Sequence, residues 1–451
     1  MVIINSSNLS DSLSAFLALA KNAGCRRLTV AFSGGVDSHV LLHQLAQLHQ
    51  PDDVIVLDAI YINHNLSAYS EDWGVHCETI CKSLDIPYKQ INVQAKALAG
   101  ESPEEKARLV RYQAFESEMQ IKHWLVTAQH QEDQAETLLL QLLRGSGADG
   151  LAAMPFKRTL GSGMHYRPLL KISKEQIVTF ANENKLQWID DPSNQDQNIA
   201  RNYLRHTIMP ALKSKWPETT SMLSRSSNWL AESSNLMEEI AEQDYQLCKS
   251  DYQSLKITEL NQLSLSHQKN LLRYWFHLLG LQRPGVEKLN VIFEEIIGAR
   301  EDANPCLNWQ GISIRRYQNK LYITATLSDI DTSWQMNWDL NCTLKLSDSW
   351  ASITSMKVAE GGLSNKLLGQ VLTVKVRSGG EHCHPVERSK SRSLKKLFHE
   401  YSVPPWLRDR WPLLYLGEQL IAVPGLFICK GFEAQSTEVG IKLLLEYNTN
   451  Q

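Results

Sequence analysis

Val30–Leu42, VAFSGGVDSHVLL, joins an apolar run to a helical pattern through a turn that holds two glycines and a carboxylate. A glycine-rich turn opening a helix aims several backbone N–H groups at one point, and the helix dipole adds positive potential there. Ser33, Gly34, Gly35, Val36, Asp37 and Ser38 therefore form a candidate anion cradle. The plainer reading is a strand-to-helix turn in which Asp37 or Ser38 only caps the helix. Two familiar nucleotide motifs fail on missing parts. A Walker loop needs Gly-Lys followed by Ser or Thr, and this turn has no lysine. A dinucleotide fingerprint needs a third glycine where Asp37 and Ser38 stand, and tolerates a carboxylate beside its pyrophosphate poorly. A carboxylate among phosphates makes sense when Mg²⁺ lies between them, so the turn favours a magnesium-bound nucleotide with its pyrophosphate in the loop.

Around this turn, from residue 26 to about 190, short β-branched runs alternate with helical patterns. The candidate strands are RLTVAF, VIVLDAIYI, PYKQINV and KHWLVTA, and DSHVLLHQLAQLH and DWGVHCETICKSL read as helices between them. That alternation predicts a parallel sheet covered by helices, a Rossmann-like doubly wound α/β domain over residues 1–217. Pro210 and Pro217 mark the change to long helical patterns, which predict a helical middle domain over 218–327. It ends in GISIRRYQNKLYITATL, a β-hairpin centred on Gln318 and Asn319. The polar tract near 328–345 reads as a linker, and 345–445 as a small α+β C-terminal domain with a basic helix.

A second constellation lies in TAQHQEDQAETLLLQLLRGSGADGL, a loop entering a helix after the strand HWLVT. Asp133, Glu136 and Thr137 are spaced i, i+3, i+4 and share a face, while Ala135, Leu138 and Leu142 are free to face the sheet. Two carboxylates thus meet at a strand's C-terminal end, the edge where open α/β sheets hold ligands. The plainer reading is an acidic first turn favoured by the helix dipole.

Composition bounds the rest. The 46 basic and 49 acidic residues leave no global positive field, so any nucleic-acid surface must be local. The eight cysteines include no CxxC pair, which predicts reduced thiols in a cytoplasmic protein. Cys77 and Cys81, four apart, read as helix packing and not as half a zinc site. The N-terminal residues lack the basic region of a secretory signal, and no apolar run is long enough to span a membrane.

SGGVDS after a first strand resembles the pyrophosphatase loop of the N-type ATP pyrophosphatases, the PP-loop superfamily, whose members cleave ATP between its α and β phosphates. TAQHQEDQAETLLLQLLRGSG is similar to the HxxDDQxETxLLRLLRGSG signature of one branch, the tRNA(Ile)-lysidine synthetases. EEKARLVRYQAFE, YRPLLKISKEQI, WIDDPSNQDQNIARNYLRHTIMPAL, DANPC with IRRY and LYI, and SLKKLFHEYSVPPWLRDRWPLL follow that family's order along nearly the whole chain. The sequence departs from the pattern at Tyr61, Asn63, Asn65, Gln129 and Glu132.

The resemblance implies ATP, Mg²⁺, free L-lysine and an isoleucine tRNA with a CAU anticodon. The C2 carbonyl oxygen of the wobble cytidine attacks the α-phosphate, pyrophosphate leaves, and the lysine ε-amine displaces AMP to give lysidine, changing codon reading from AUG to AUA. Adenylation needs N–H donors, Mg²⁺ and fixed cations. Ser33–Ser38 serve as the cradle, Asp37 and Asp133 as Mg²⁺ ligands, and Arg108 and Arg111 as cations for the α-phosphate or the base, unless they pair with Glu104 and Glu105 at the surface. The second step needs a neutral amine; from a pKa of about 10.4 that costs roughly 4 to 5 kcal/mol at neutral pH unless a carboxylate helps. Glu136 and Asp133 are the candidates, with His130 as a base or adenosine contact.

Transfer RNA demands phosphate contacts. RNYLRHTIMPALKSK carries Arg201, Arg205, Lys213 and Lys215 without an acid, and Lys375–Arg410 holds nine basic residues, among them Lys395, Lys396 and Arg408, against four acidic ones. A solvated basic face is the simpler alternative. Competing functions are a tRNA cytidine thiolase, disfavoured by the lack of CxxC, a GMP, asparagine or NAD synthetase, disfavoured by the basic tail, and a passive nucleotide or tRNA binder, which has little use for Asp37, Asp133 and Glu136 beside a polyanion. The sequence leaves the oligomeric state open, a homodimer included.

Overall fold

The computed structural model describes residues 8–50, 53–64, 70–94, 103–300, 303–346, 351–435 and 438–447, so Asn65 lies outside the described residues. The chain forms two compact units that meet at Met237 and Glu238.

The first unit opens with α1 (Leu9–Asn22), whose Leu9, Leu13, Phe16, Leu17 and Ala20 recur at helical spacing and are buried. Four parallel strands follow, β1 (Arg27–Ala31), β2 (Val56–Asn63), β3 (Tyr88–Asn92) and β4 (His123–Val126), joined through α2 (Val36–Leu48), α3 (Ser70–Ser83) and α4 (Pro103–Glu118). β2 and β4 are buried along nearly their whole length, as strands covered by helices on both faces must be. After α5 (Gln131–Leu143) and α6 (Ala148–Leu151) comes a hairpin that the sequence did not betray, β5 (Lys157–Leu160) and β6 (Gly163–Tyr166). β6 runs parallel to β4 but β5 antiparallel to β6, so the sheet, in order β3-β2-β1-β4-β6-β5, is mixed at one edge. KRTL and GMHY are too short and too polar to register as strands on their own.

The chain winds outward from β1 to β2 and β3, then returns to lay β4 on the other side of β1. The order reverses between β1 and β4, and the crevice beyond their C-terminal ends is the natural ligand site of such a sheet. Cys77 and Cys81 pack in this unit's core, with burial pushing both thiols up to about 12. The unit continues through α7 (Lys174–Glu183), α8 (Ala200–Tyr203), a π-helical turn at Leu204–Ile208 and α9 (Met209–Lys215).

α10 (Thr219–Cys248) leads into the second unit. The middle region is helical through α11 (Ile257–Gln262), α12 (Leu265–Leu278) and α13 (Val286–Val291), yet it also carries a sheet. β7 (Lys249–Asp251), β8 (Ser254–Lys256), β9 (Cys306–Trp309), β10 (Ile312–Tyr317) and β11 (Lys320–Ala325) pair in the order β7-β8-β11-β10-β9. The β10–β11 hairpin turns at Gln318 and Asn319, both with positive φ (44° and 60°), which is the backbone of a type I′ turn.

The tract near 328–345 is not a linker. It supplies β12 (Gln335–Trp338) and β13 (Leu344–Lys345), and Trp338 and Leu340, each 2% exposed, lie in the core of the last region. A few apolar residues in a polar run carry that burial, too few to show as a pattern. The remaining elements are β14 (Ala351–Val358), β15 (Leu363–Ser364), β16 (Leu372–Lys375), β17 (His382–Cys383), β18 (Arg392–Ser393), α14 (Leu394–Glu400), α15 (Pro405–Arg408), β19 (Leu413–Leu416), β20 (Gln419–Val423), β21 (Phe427–Ile428) and β22 (Gly440–Tyr447). They build three sheets, β12-β16-β19-β20-β21, β13-β14-β22-β15 and the two-stranded β17-β18.

Candidate active site

The two loops picked out by the sequence leave β1 and β4, the strands that flank the reversal. Gly34 has φ +81°, and a Cβ there would stand 2.9 Å from Ile189 Cδ1 and 3.1 Å from Cys77 Sγ, so backbone and packing both demand glycine. Ser38 braces the turn: its Oγ accepts from Ser33 N at 3.2 Å and donates to Gly35 O at 3.0 Å. Gly35 caps α2 without a side-chain acceptor, so the N–H groups of the first turn stay available to an anion.

Asp37, in that first turn, pairs through Oδ1 with Lys174 Nζ at 2.5 Å. Lys174 is the first residue of α7, whose start is fixed by a reciprocal Ser173–Gln176 cap. It lies 137 positions away in the chain, and sequence reasoning gave it no role. One signal pointed to it: a lysine in the first turn of a helix opposes the dipole and needs an acidic partner.

The second loop delivers His130 as the N-cap of α5, with Asp133 Oδ2 accepting from the His130 backbone N–H at 3.1 Å. The His130 ring is buried, with Nε2 3.5 Å from Asp133 Oδ2 and 3.8 Å from Asp37 Oδ2 and Nδ1 3.2 Å from Glu132 Oε2. Burial opposes its positive charge, but Asp133, Glu132 and Asp37 outweigh it and hold its pKa above the ordinary histidine value. Burial likewise opposes ionisation of Asp133, and His130, Arg201 and Arg205 outweigh it and depress its pKa. The shared helical face of Asp133, Glu136 and Thr137 is real, and Ala135 and Leu138 are buried behind it; Leu142, by contrast, is 58% exposed.

Arg201 and Arg205, read from the sequence as phosphate-binding cations, turn inward onto this face. Arg201 Nε donates to Glu136 Oε2 at 2.8 Å; Arg205 donates to Glu136 Oε1 at 2.7 Å and Oε2 at 2.9 Å. Both guanidiniums also reach Asp133 Oδ1 at 3.2 Å. Glu136 is 1% exposed and already accepts three charge-assisted hydrogen bonds of the roughly four a carboxylate can take.

Asp37, Asp133 and Arg201 line a cavity of about 390 Å³ together with Ser33, Gly35 and Ser38 of the turn, the apolar Ile60, Ile62, Trp73 and Phe115, and the polar Arg111 and Gln129. That size and mixture suit a nucleotide. Of the α4 arginines, Arg111 lines the cavity and Arg108 is exposed; both lie against Tyr112, 5.9 and 5.6 Å from its ring centroid. Of the two acids expected to engage them at the surface, Glu105 approaches Arg144 at 3.9 Å, and the Glu104 side chain lies outside the described residues. His64 also lines the cavity, and burial followed by the Arg111 charge takes its pKa down to about 4. Tyr61 and Asn63 are tied into structure, Tyr61 through Ser70 O and Asn63 through Glu71.

In the second unit Lys395 and Lys396 stand exposed on α14. Arg408 does not: it donates to Val403 O and to Tyr317 Oη, both at 2.9 Å, and helps to bind α15 to the β10–β11 hairpin.

Residues 8–212 match a PP-loop domain model, and residues 255–322 and 372–445 match models described as the TilS substrate binding domain and the TilS substrate C-terminal domain. The tRNA(Ile)-lysidine synthase of Coxiella burnetii is 41% identical over 91% of this chain and 91% of its own length. The chain belongs to the tRNA(Ile)-lysidine synthase family. The synthases of Serratia proteamaculans and Vibrio vulnificus are 38% and 37% identical, over 93% and 92% of this chain and 95% and 94% of theirs. All three matched segments lie where the sequence placed lysidine synthase signatures, and the PP-loop domain carries ATP use with it. Asp133, Gln134, Glu136 and Thr137 all lie in one helix, α5, and Asp133 shares the cavity with the SGGVDS turn.

Proposed function

We propose that this protein joins free L-lysine to C2 of the wobble cytidine of an isoleucine tRNA with a CAU anticodon, in two steps driven by ATP. The observation that supports this most is the convergence of the anion cradle, Asp133 of the acidic helix and the inward-facing Arg201 on one cavity at the sheet reversal.

In the first step the Ser33–Ser38 turn holds the β and γ phosphates, and Lys174 exchanges Asp37 for the departing pyrophosphate, filling the place of the absent Walker lysine. Asp37 and Asp133 both face His130 Nε2 and both line the cavity, so two hard oxygen ligands are at hand; they would hold Mg²⁺, which would offset the charge that builds on the pyrophosphate. Arg111 faces the same space and suits the α-phosphoryl oxygens or the base, with Arg108 more remote. His130, enclosed by three carboxylates, serves as a base or adenosine contact beside them.

In the second step Asp133, which is open to the cavity, receives the lysine ammonium and takes its proton as the amine attacks. Glu136 lies behind it and anchors Arg201 and Arg205, so we assign it to orientation of the lysine site before proton transfer. Lys395, Lys396 and, through the fold of the second unit, Arg408 serve the tRNA. The described residues include no helix long and apolar enough to cross a membrane, and we assign the enzyme to the cytoplasm.

The test is incubation with the CAU-bearing isoleucine tRNA, Mg-ATP and labelled lysine. Label recovered in the tRNA supports the reading; its absence under conditions where ATP binds would refute it.

A further inference from the structure

Gln129 and Gln134 stand five positions apart and are satisfied in different ways. Gln134 spends both ends of its amide on one residue, donating to Met154 O at 2.9 Å and accepting from Met154 N at 2.8 Å. Gln129 spends one end only. Its Oε1 accepts from the Thr127 hydroxyl, and among the described residues its Nε2 meets no protein acceptor.

The direction of that bond is set two residues further back. Arg158 Nε, a donor only, lies 3.1 Å from His165 Nδ1, which must therefore accept. The His165 ring is fully buried and neutral: burial first, then the charges of Arg167, Arg158 and Arg108, drive its pKa down to about 2. Its proton thus sits on Nε2, 2.7 Å from Thr127 Oγ1, and the hydroxyl accepts it there. The hydroxyl's own hydrogen is left for Gln129, which must turn its carbonyl oxygen toward Thr127 and its NH₂ away. An amide's two ends are alike in shape, so the polarity comes from the arginine. Thr127 and Gln129 both line the cavity, beside Arg111, Tyr112 and Asp133.

We propose that Gln129 is a substrate contact whose NH₂ donates to an acceptor atom held in this cavity, and that Thr127, His165 and Arg158 are positioning residues that keep the amide from flipping. The inference rests on the ATP and cytidine reading above. The partner it selects is an acceptor atom with no hydrogen of its own: a ring nitrogen or phosphoryl oxygen of ATP, or the O2/N3 edge of the target cytosine. An N–H in that place, such as N3–H of uracil, would meet the NH₂ donor to donor.

The experiment uses the full chain and measures two constants, the Kd for Mg-ATP by equilibrium binding and the KM for CAU-bearing isoleucine tRNA in pyrophosphate release. Gln129→Leu removes the donor, Thr127→Val frees the amide to flip, and Thr127→Ser keeps the hydroxyl. Gln129→Leu is expected to weaken one constant about tenfold, the worth of one hydrogen bond, and Thr127→Val to weaken the same constant about twofold, as a half-populated donor orientation does, while Thr127→Ser matches the parent. A shared shift in the ATP Kd assigns the acceptor to the nucleotide, and one in the tRNA KM assigns it to the cytosine. Unchanged constants in Gln129→Leu, or an equal loss in Thr127→Ser and Thr127→Val, would overturn the proposal; Gln129 is half-exposed, so the leucine variant reports even where a Thr127 variant unfolds. The ATP arm requires no lysine transfer and stays readable if the lysine reading itself fails.

Discussion

By sequence alone, Arg201 and Arg205 of the first unit resemble Lys395 and Lys396 of the second: each is a pair of cations on a helical segment with few acids nearby. Their surroundings are opposite. The arginines close onto Glu136 and Asp133, 65 to 72 residues earlier in the chain, whereas the lysines make no ion pair among the described residues. Local charge surplus therefore does not locate a nucleic-acid surface; what decides is whether the tertiary fold brings acids to the cations. The same sorting thins the C-terminal basic run. Arg388 and Arg392 pair with Glu400, Arg377 with Glu381 and Asp409, and Arg410 donates to Ser328 O, which leaves Lys390, Lys395 and Lys396 as its unpaired, exposed cations among the described residues.

The contrast is open to attack from either side. The largest effect lies in the paired region: Asp37→Ala is expected to cut pyrophosphate release about 10³-fold, as loss of a preorganised electrostatic contact does, with the unfolding midpoint unchanged. Next is the double change Arg201→Ala with Arg205→Ala, which strands the buried Glu136 carboxylate. Breaking a buried pair costs about 3 to 5 kcal/mol, and the partial exposure of both arginines brings the expected loss to about 2 to 3 kcal/mol, read by denaturant unfolding. Restoration of stability by Glu136→Leu in that background would show that the unpaired charge, and not lost packing, was the cause.

A third effect follows from His165. Its folded pKa lies below the ordinary histidine value, so as pH falls through about 6.5 the unfolded chain takes up the proton and the folded chain does not. Stability from this group is full above that value and declines below it, by about 2 kcal/mol between pH 7 and pH 5. Hydrogen exchange should record the loss in the first unit. The smallest effects belong to the unpaired region: Lys395→Ala and Lys396→Ala should leave stability within about 0.5 kcal/mol, weaken tRNA binding, and lower the salt dependence of affinity by about one unit of slope each. An unchanged salt slope would remove these lysines from the tRNA surface.

The parts of the molecule legible in the sequence were those set by local physics. The β1 turn announced itself through its glycines, the α5 acids through helical spacing, and the β10–β11 turn through Gln318 and Asn319. What stayed hidden depends on distant partners. Lys174 reads as an ordinary helix-start lysine until α7 brings it to Asp37, and Arg201 and Arg205 read as free cations until they meet Glu136. Trp338 and Leu340 pass for strays in a polar tract because the sheets that bury them arrive later in the chain. Gln129 stands out only as a departure from a pattern until the polarity imparted by Arg158 through His165 gives its amide a direction.

The central claim is that one cavity carries out two separable steps, ATP cleavage first and lysine attack second. It is tested most directly by a single turnover with ATP labelled on the α-phosphate and CAU-bearing isoleucine tRNA, with lysine withheld. The account predicts that pyrophosphate is released and the label stays on the tRNA, to leave as AMP only when lysine is added. Pyrophosphate release that waits for lysine would contradict it.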